Sequence, residues 1–192
     1  PALFAIEILN EPSHWVLDRN GAQEPEDKGI NRLQEFSLKA YHAIRKHVPE
    51  DVYVIFGDGF WTDAWISFFQ QHDLKNVALD IHRYQCFTEE DKQRSFSSHL
   101  FIAEFRRSSE IKKLQQYVNI FVGEWSLGLP SPHNIHTKEA QYAEAQLIGM
   151  KEAWGWAFWS YKVEPYNSGW NFRSLVERKI IKPEMWLGEA EA

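Results

Sequence analysis

Two glutamates stand directly after short apolar runs, where a pair of carboxylates can do chemistry. Glu11 follows Leu3-Phe4-Ala5-Ile6-Glu7-Ile8-Leu9 in the turn Asn10-Glu11-Pro12, and Glu124 closes the run Asn119-Ile120-Phe121-Val122-Gly123-Glu124-Trp125. Such runs, bounded by polar residues and Gly, read as strands buried on both faces of a parallel sheet. In parallel α/β folds catalytic groups collect at the carboxyl ends of strands, which fix the side chains while the following loops vary. One acid there is ordinarily a solvated cap. Two at equivalent places suit glycoside hydrolysis, in which one carboxyl donates a proton to the leaving oxygen and an ionised one attacks the anomeric carbon. Direct attack sets the carboxyls about 5 to 5.5 Å apart, whereas an intervening water needs ~6.5 to 9.5 Å. A metal-dependent reading would make Glu11, His82 and Glu124 ligands, but the sequence has no His-x-His pair and no clustered ligands of zinc type. No metal and no cofactor is expected.

The elements that must position these residues recur in order. After Glu11, Ser13 to Lys28 is a polar, acidic loop long enough to overhang a site. Ile30, Leu33, Ala40, Tyr41, Ile44 and Val48 then fall near one helical face, and Pro49 closes the segment. Val52-Tyr53-Val54-Ile55-Phe56 is a second strand, followed by Gly57-Asp58-Gly59-Phe60-Trp61 and a short aromatic helix through Ala64, Trp65, Phe68 and Phe69. Val77-Ala78-Leu79-Asp80-Ile81 is a third and ends in His82-Arg83-Tyr84. Thr88-Glu89-Glu90-Asp91 reads as a capping box, opening a helix past Phe101 and Phe105 with a break near Ser108-Ser109. After the Glu124 strand, a loop from Leu129 to His136 leads to Thr137, which is expected to cap the helix of Ala140, Ala143, Leu147 and Met150. Gly155-Trp156-Ala157-Phe158-Trp159 is the fifth strand; a loop to Trp170 and an amphipathic stretch through Leu175, Val176 and Ile180 follow. Five strand-helix units predict a parallel sheet with right-handed crossovers, one domain over residues 1–192.

Composition narrows the partners. With 44% hydrophobic and 25% charged residues the chain is of globular type, and a net charge of -6 with no basic block argues against nucleic acid and anionic membranes. Nine Trp exceed what packing usually asks for and suit a carbohydrate cleft. Cys86 is the only cysteine, which rules out an intrachain disulfide and reads as a small buried hydrophobe. No run approaches the ~20 apolar residues of a membrane span and no signal peptide is visible.

Taken together, Leu9-Asn10-Glu11-Pro12, His82-x-Tyr84, Gly123-Glu124-Trp125 and Gly155-Trp156-x-Phe158-Trp159 resemble glycoside hydrolase family 5 and its retaining (β/α)8 clan. More narrowly, Asp58-x-Phe60, Leu79-Asp80-Ile81-His82-x-Tyr84-Gln85-x-Phe87 and Trp156-x-Phe158-Trp159-x-x-Lys162 are similar to the exo-β-1,3-glucanase branch. The resemblance implies the carboxyl-terminal part of a TIM barrel, strands four to eight, and retaining hydrolysis of a β-glucoside, most often β-1,3-linked. It makes Glu11 the acid/base and Glu124 the nucleophile, and sets Asn10 on the sugar 2-hydroxyl. His82 would contact the acid/base, Tyr84 would hold the nucleophile carboxylate, and Trp159 would be the floor under the first sugar. Phe60 and Trp61 would form the aromatic rim for the next, although Trp61 and Trp65 also suit core packing.

Two departures stand out: Tyr161 replaces the branch's usual Trp, and the loop after Glu124 lacks its usual residues. The family also has an arginine before Asn10-Glu11-Pro12 that helps keep the nucleophile ionised, and it falls outside this sequence. The expectation is therefore a fragment that a complementary barrel piece or a second copy completes, or else a sugar-binding scaffold without turnover. The family suggests an extracellular or cell-surface location.

Overall fold

The computed structural model describes residues 2–18, 20–133 and 136–187, and in it strands alternate with helices as the apolar runs dictate. β1 (Ala5–Glu7), β2 (Tyr53–Gly57), β3 (Val77–His82), β4 (Asn119–Trp125) and β5 (Gly155–Phe158) follow one another across the sheet in chain order. β1 and β3 both pair parallel with β2, with Ile6 opposite Val54 and Ile55 opposite Ala78. Parallel neighbours need a crossover. α1 (Glu26–Ile44) supplies it between β1 and β2, and α2 (Trp65–Gln71), behind a 3₁₀ turn at Thr62–Ala64, supplies it between β2 and β3. The chain divides into two compact units, one of residues up to His82 with Leu114–Phe121, the other of Arg83–Lys113 with residues from Val122 onward.

In the first unit Val54, Phe56, Leu79 and Ile81 are buried between helices and sheet. Phe56 is the hub: its ring meets Tyr41 edge-on at 6.2 Å, Trp65 at 5.9 Å and Phe69 at 5.9 Å. Trp65 is wholly buried and its indole N–H donates to the Asp58 carbonyl at 2.8 Å, so it is core. β1 is shorter than the expected Leu3 to Leu9, and Leu3, Phe4 and Leu9 are exposed. Its backbone bonds do extend from the Phe4 carbonyl, which accepts from Tyr53, to the Ile8 N–H, which donates to Ile55. Lying outermost in the sheet order, β1 has a strand on one side only, and its side chains stay open.

The Arg45 guanidinium ties down the amino-terminal ends of β2 and β3. It donates to the carbonyls of Val52 at 2.7 Å, Lys75 at 2.9 Å, Asn76 at 3.1 Å and Pro49 at 3.3 Å, and lies 5.0 Å from the Tyr41 ring centre. Replacing it strands those acceptors, so Arg45→Met is expected to lose about 2 to 3 kcal/mol of stability. The check is the urea midpoint, which falls with the slope unchanged.

In the second unit, the capping box is formed. Thr88 Oγ1 accepts from the Asp91 N–H and Asp91 Oδ2 from the Thr88 N–H, both at 3.1 Å. The helix it opens breaks at Arg94-Ser95 rather than at Ser108-Ser109. α3 (Glu89–Gln93) stops there because the Ser95 hydroxyl takes the Ser98 N–H and starts α4 (Phe96–Phe101). A π turn at Ile102–Arg106 follows, and Ser108 and Ser109 lie within α5 (Arg107–Leu114). β4 buries Ile120 and Val122 on one face and only Trp125, at its end, on the other, where Asn119, Phe121 and Gly123 stay half-buried and burial throughout was expected.

α6 (His136–Gly149) already includes Thr137, which is therefore not its cap; residues 134 and 135 of the preceding loop lie outside the described residues. The last helices are α7 (Phe172–Glu177), capped by Asn171, and α8 (Glu184–Leu187). No described helix is long and apolar enough to cross a membrane.

Candidate active site

In the first unit Glu11 leaves β1 in a left-handed conformation, φ 44°, which costs a residue with a Cβ and is kept where surroundings impose it. The surroundings here are Pro12 and Gly57. A Cβ at Gly57 would lie 2.6 Å from Pro12 Cδ, so only glycine at the end of β2 lets the acid-bearing turn seat. The Glu11 carboxyl is partly exposed, and its Oε1 lies 2.8 Å from Nδ1 of the buried His82 ring. The other ring nitrogen lies 2.9 Å from Oδ2 of Asp80, whose side chain is 2% exposed.

Asp80 and His82 are two residues apart in β3, and the pleat puts both on one face. Two contacts between nitrogen and oxygen need two hydrogens among three groups. Either the ring carries both, or a neutral ring donates through one nitrogen and accepts through the other from a protonated carboxyl, Glu11 or Asp80 according to its tautomer. In every case both ring nitrogens are occupied, so His82 could ligate a cation only by giving up one of these bonds.

Phe60 reaches the same pocket, which Glu11, Pro12, Gly57, Asp58, Asp80 and His82 also line. Asp58, buried, accepts from the Phe60 N–H at 2.8 Å and from the Thr62 hydroxyl at 2.7 Å, holding Phe60 at φ 63° with its ring 43% exposed. Trp61 is half-buried with its ring 5.5 Å from His14, and Asn10 is exposed beside Glu11.

In the second unit the Tyr84 hydroxyl donates to Glu124 Oε2 at 2.7 Å, and the Arg83 N–H donates to the Glu124 carbonyl at 2.9 Å. Tyr84 is wedged by the rings of Trp170 and Phe87, each 5.3 Å away. The next residue, Gln85, is buried: Oε1 accepts from His99 Nδ1, and Nε2 donates to the His99 carbonyl and the Tyr142 hydroxyl, all at 3.1 Å. Burial, with His133 adding, holds His99 below the usual histidine range, and burial pushes the Tyr142 phenol up. This anchor is therefore uncharged at neutral pH. Trp159 follows β5, donates its N–H to the Trp125 carbonyl at 2.9 Å, leaves its ring 53% exposed and precedes a cis peptide to Ser160. Tyr161 is exposed too.

Beside Tyr84, Arg83 grips Glu110 through Nη2 at 2.6 Å and Nε at 3.3 Å. Burial pushes the Glu110 carboxyl up, but the charge and hydrogen bonds of Arg83, helped by Arg107 and Lys113, outweigh it and hold it below its ordinary 4.5. A carboxyl lowered in the folded state stabilises fully above its unfolded value and stops doing so as pH falls through the folded one. Glu110→Gln is thus expected to be less stable than the parent at pH 7, the gap closing as pH drops below about 4.5. Urea midpoints from pH 7 to pH 3 measure this.

Asp80, Asp58 and Gln85 carry these two clusters without having been singled out as site residues. An acid in the middle of a buried strand was the available signal for Asp80, since an unpaired carboxylate there is costly. Cys86 is half-buried, and burial, with Asp91 adding, pushes its thiol up to about 11.

Parallel strands in sequence order, crossed over by helices and carrying ionisable side chains at their carboxyl ends, define part of a (β/α)8 barrel. The family model for Cellulase (glycosyl hydrolase family 5) matches residues 2–165. The chain belongs to glycosyl hydrolase family 5. It is 32% identical over 187 residues to glucan 1,3-beta-glucosidase 3 of Schizosaccharomyces pombe, covering 93% of this chain and 36% of that protein. With the glucan 1,3-beta-glucosidase of Schwanniomyces occidentalis identity is 26% over 216 residues, covering 93% of this chain and 47% of the other. The chain thus spans less than half the length of these relatives. In fold it is similar to a rutinosidase from Aspergillus niger, with a TM-score of 0.63 and 16% identity over 92% of this chain and 51% of that one.

Proposed function

We propose that the protein carrying this chain hydrolyses β-glucosidic bonds with retention, acting on β-1,3-linked glucan from its ends, without metal or cofactor, outside the cell or at its surface. What carries this reading is the contrast between the surroundings of the two glutamates. Glu124 receives an O–H donor from Tyr84 at 2.7 Å, the partner an ionised carboxylate wants. Glu11 instead abuts an imidazole whose far nitrogen goes to a buried carboxylate.

In the first step Glu11 gives a proton to the glycosidic oxygen as Glu124 attacks the anomeric carbon, while Asp80 holds the His82 ring in place beside the acid. Water then enters, gives its proton to Glu11, and releases the sugar from Glu124 with the starting configuration. In this reading Asn10 holds the 2-hydroxyl, Trp159 is the floor under the first sugar, and Phe60 with Trp61 edges the next. The relatives named as glucan 1,3-beta-glucosidases support the linkage.

Five strands supply part of a barrel, so the test is made on the protein at full length. Purified protein is given laminarin and an aryl β-glucoside, and the first-formed anomer is followed by proton NMR. β-Glucose is expected before mutarotation. The α-anomer first would refute retention, and no turnover on either substrate would favour a sugar-binding scaffold.

A further inference from the structure

We propose that Trp15, in the loop between β1 and α1, is a specificity-determining contact for the leaving-group sugar; the inference rests on Glu11 being the acid. Its indole is 51% exposed, yet the segment that carries it is bolted down. His14, next to it, is 4% exposed, and its Nδ1 is hydrogen-bonded to the Gly59 carbonyl. The His14 carbonyl lies against α1 at Gly29, where a Cβ would come within 1.7 Å of it. The Trp15 N–H donates to the Ser13 hydroxyl at 3.0 Å, and further along Leu17 bridges Gln23 while the Asp18 carboxylate takes the N–H groups of Asn20 and Ala22. Fixing the backbone on both sides of an exposed indole limits where its flat face can reach.

That face continues the pocket of the acid. The Trp15 and Phe60 rings are nearly parallel, 18° apart with centroids 6.0 Å from one another, and Phe60 lines the same pocket as Glu11 and His82. Both rings are open to solvent, at 51% and 43%. A general acid must face the oxygen that leaves, so an aromatic surface running outward from its pocket meets the departing group. Two offset aromatic faces offer an apolar platform to the C–H face of a pyranose and leave its hydroxyls in water. The occupant is therefore a neutral sugar ring, the reducing-side glucose of an oligosaccharide.

The test compares substrates that do and do not place a sugar there. In the full-length protein, Trp15→Ala is expected to lower the ratio of kcat/KM for laminaribiose to kcat/KM for dinitrophenyl β-glucoside about tenfold, roughly 1.4 kcal/mol. Trp15→Phe, which keeps a ring, should recover most of it. An unchanged ratio, including one that hides equal losses on both substrates, would overturn the proposal, because a structural residue damages both. Calorimetry with laminaritriose on Glu124→Ala protein, with and without Trp15→Ala, provides a readout free of turnover. Weaker binding on loss of Trp15 supports the contact even if the catalytic reading fails, and equal binding removes it.

Discussion

Glu124→Ala is expected to lower turnover of an aryl β-glucoside by about 10⁴- to 10⁶-fold, the scale on which removal of a nucleophile is felt. Azide should restore turnover and give a product of inverted configuration. The vacated side chain leaves room for a small anion on the face that Glu124 would have attacked, and one displacement in place of two inverts the centre. Tyr84 should stay where it is, because Trp170 and Phe87 wedge its ring and Gln85 anchors the following residue independently of Glu124. Rescue with retained configuration, read from the NMR of the glycosyl azide, would place the nucleophile elsewhere.

Glu11→Ala is expected to split substrates by leaving group. Loss of a general acid removes about 10²- to 10⁴-fold from substrates that need protonation. Those with a dinitrophenyl leaving group should still form the glycosyl-enzyme, and azide, attacking this intermediate, should give the glycosyl azide with retained configuration. The variant also empties one end of the Glu11, His82 and Asp80 chain. His82 keeps its bond to the buried Asp80, so the ring is held. Equal losses for good and poor leaving groups would argue against Glu11 as the acid.

Much of this was legible in the chain because strands announce themselves. β2, β3 and β4 lie within a residue of the apolar runs that foretold them, and Thr88 with Asp91 forms the box that its spacing requires. Edges and helix ends were less legible. Whether Leu3, Phe4 and Leu9 are covered depends on what lies beside β1, which no local pattern records. The choice of Ser95 over Ser108 as a helix break turns on which hydroxyl captures a free N–H, and the sequence offers both. In the site, His82 and Tyr84 could be picked out from their spacing after a strand. Asp80 could not be tied to His82 without knowing that both nitrogens of the ring are used. Trp15 was hidden for another reason: among nine tryptophans, only packing tells a buried Trp65 from an exposed Trp15.

Cys86, the only cysteine of this chain, lies two residues beyond Tyr84, and burial pushes its thiol up to about 11, which keeps it almost wholly protonated at pH 7. Alkylating agents that need the thiolate should therefore react slowly with Cys86 in the folded chain and faster once the segment carrying Tyr84, Gln85 and Cys86 opens and the thiol returns to an ordinary acidity. The natural cysteine thus acts as a clock for local opening beside the tyrosine, timed by mass spectrometry without any introduced label.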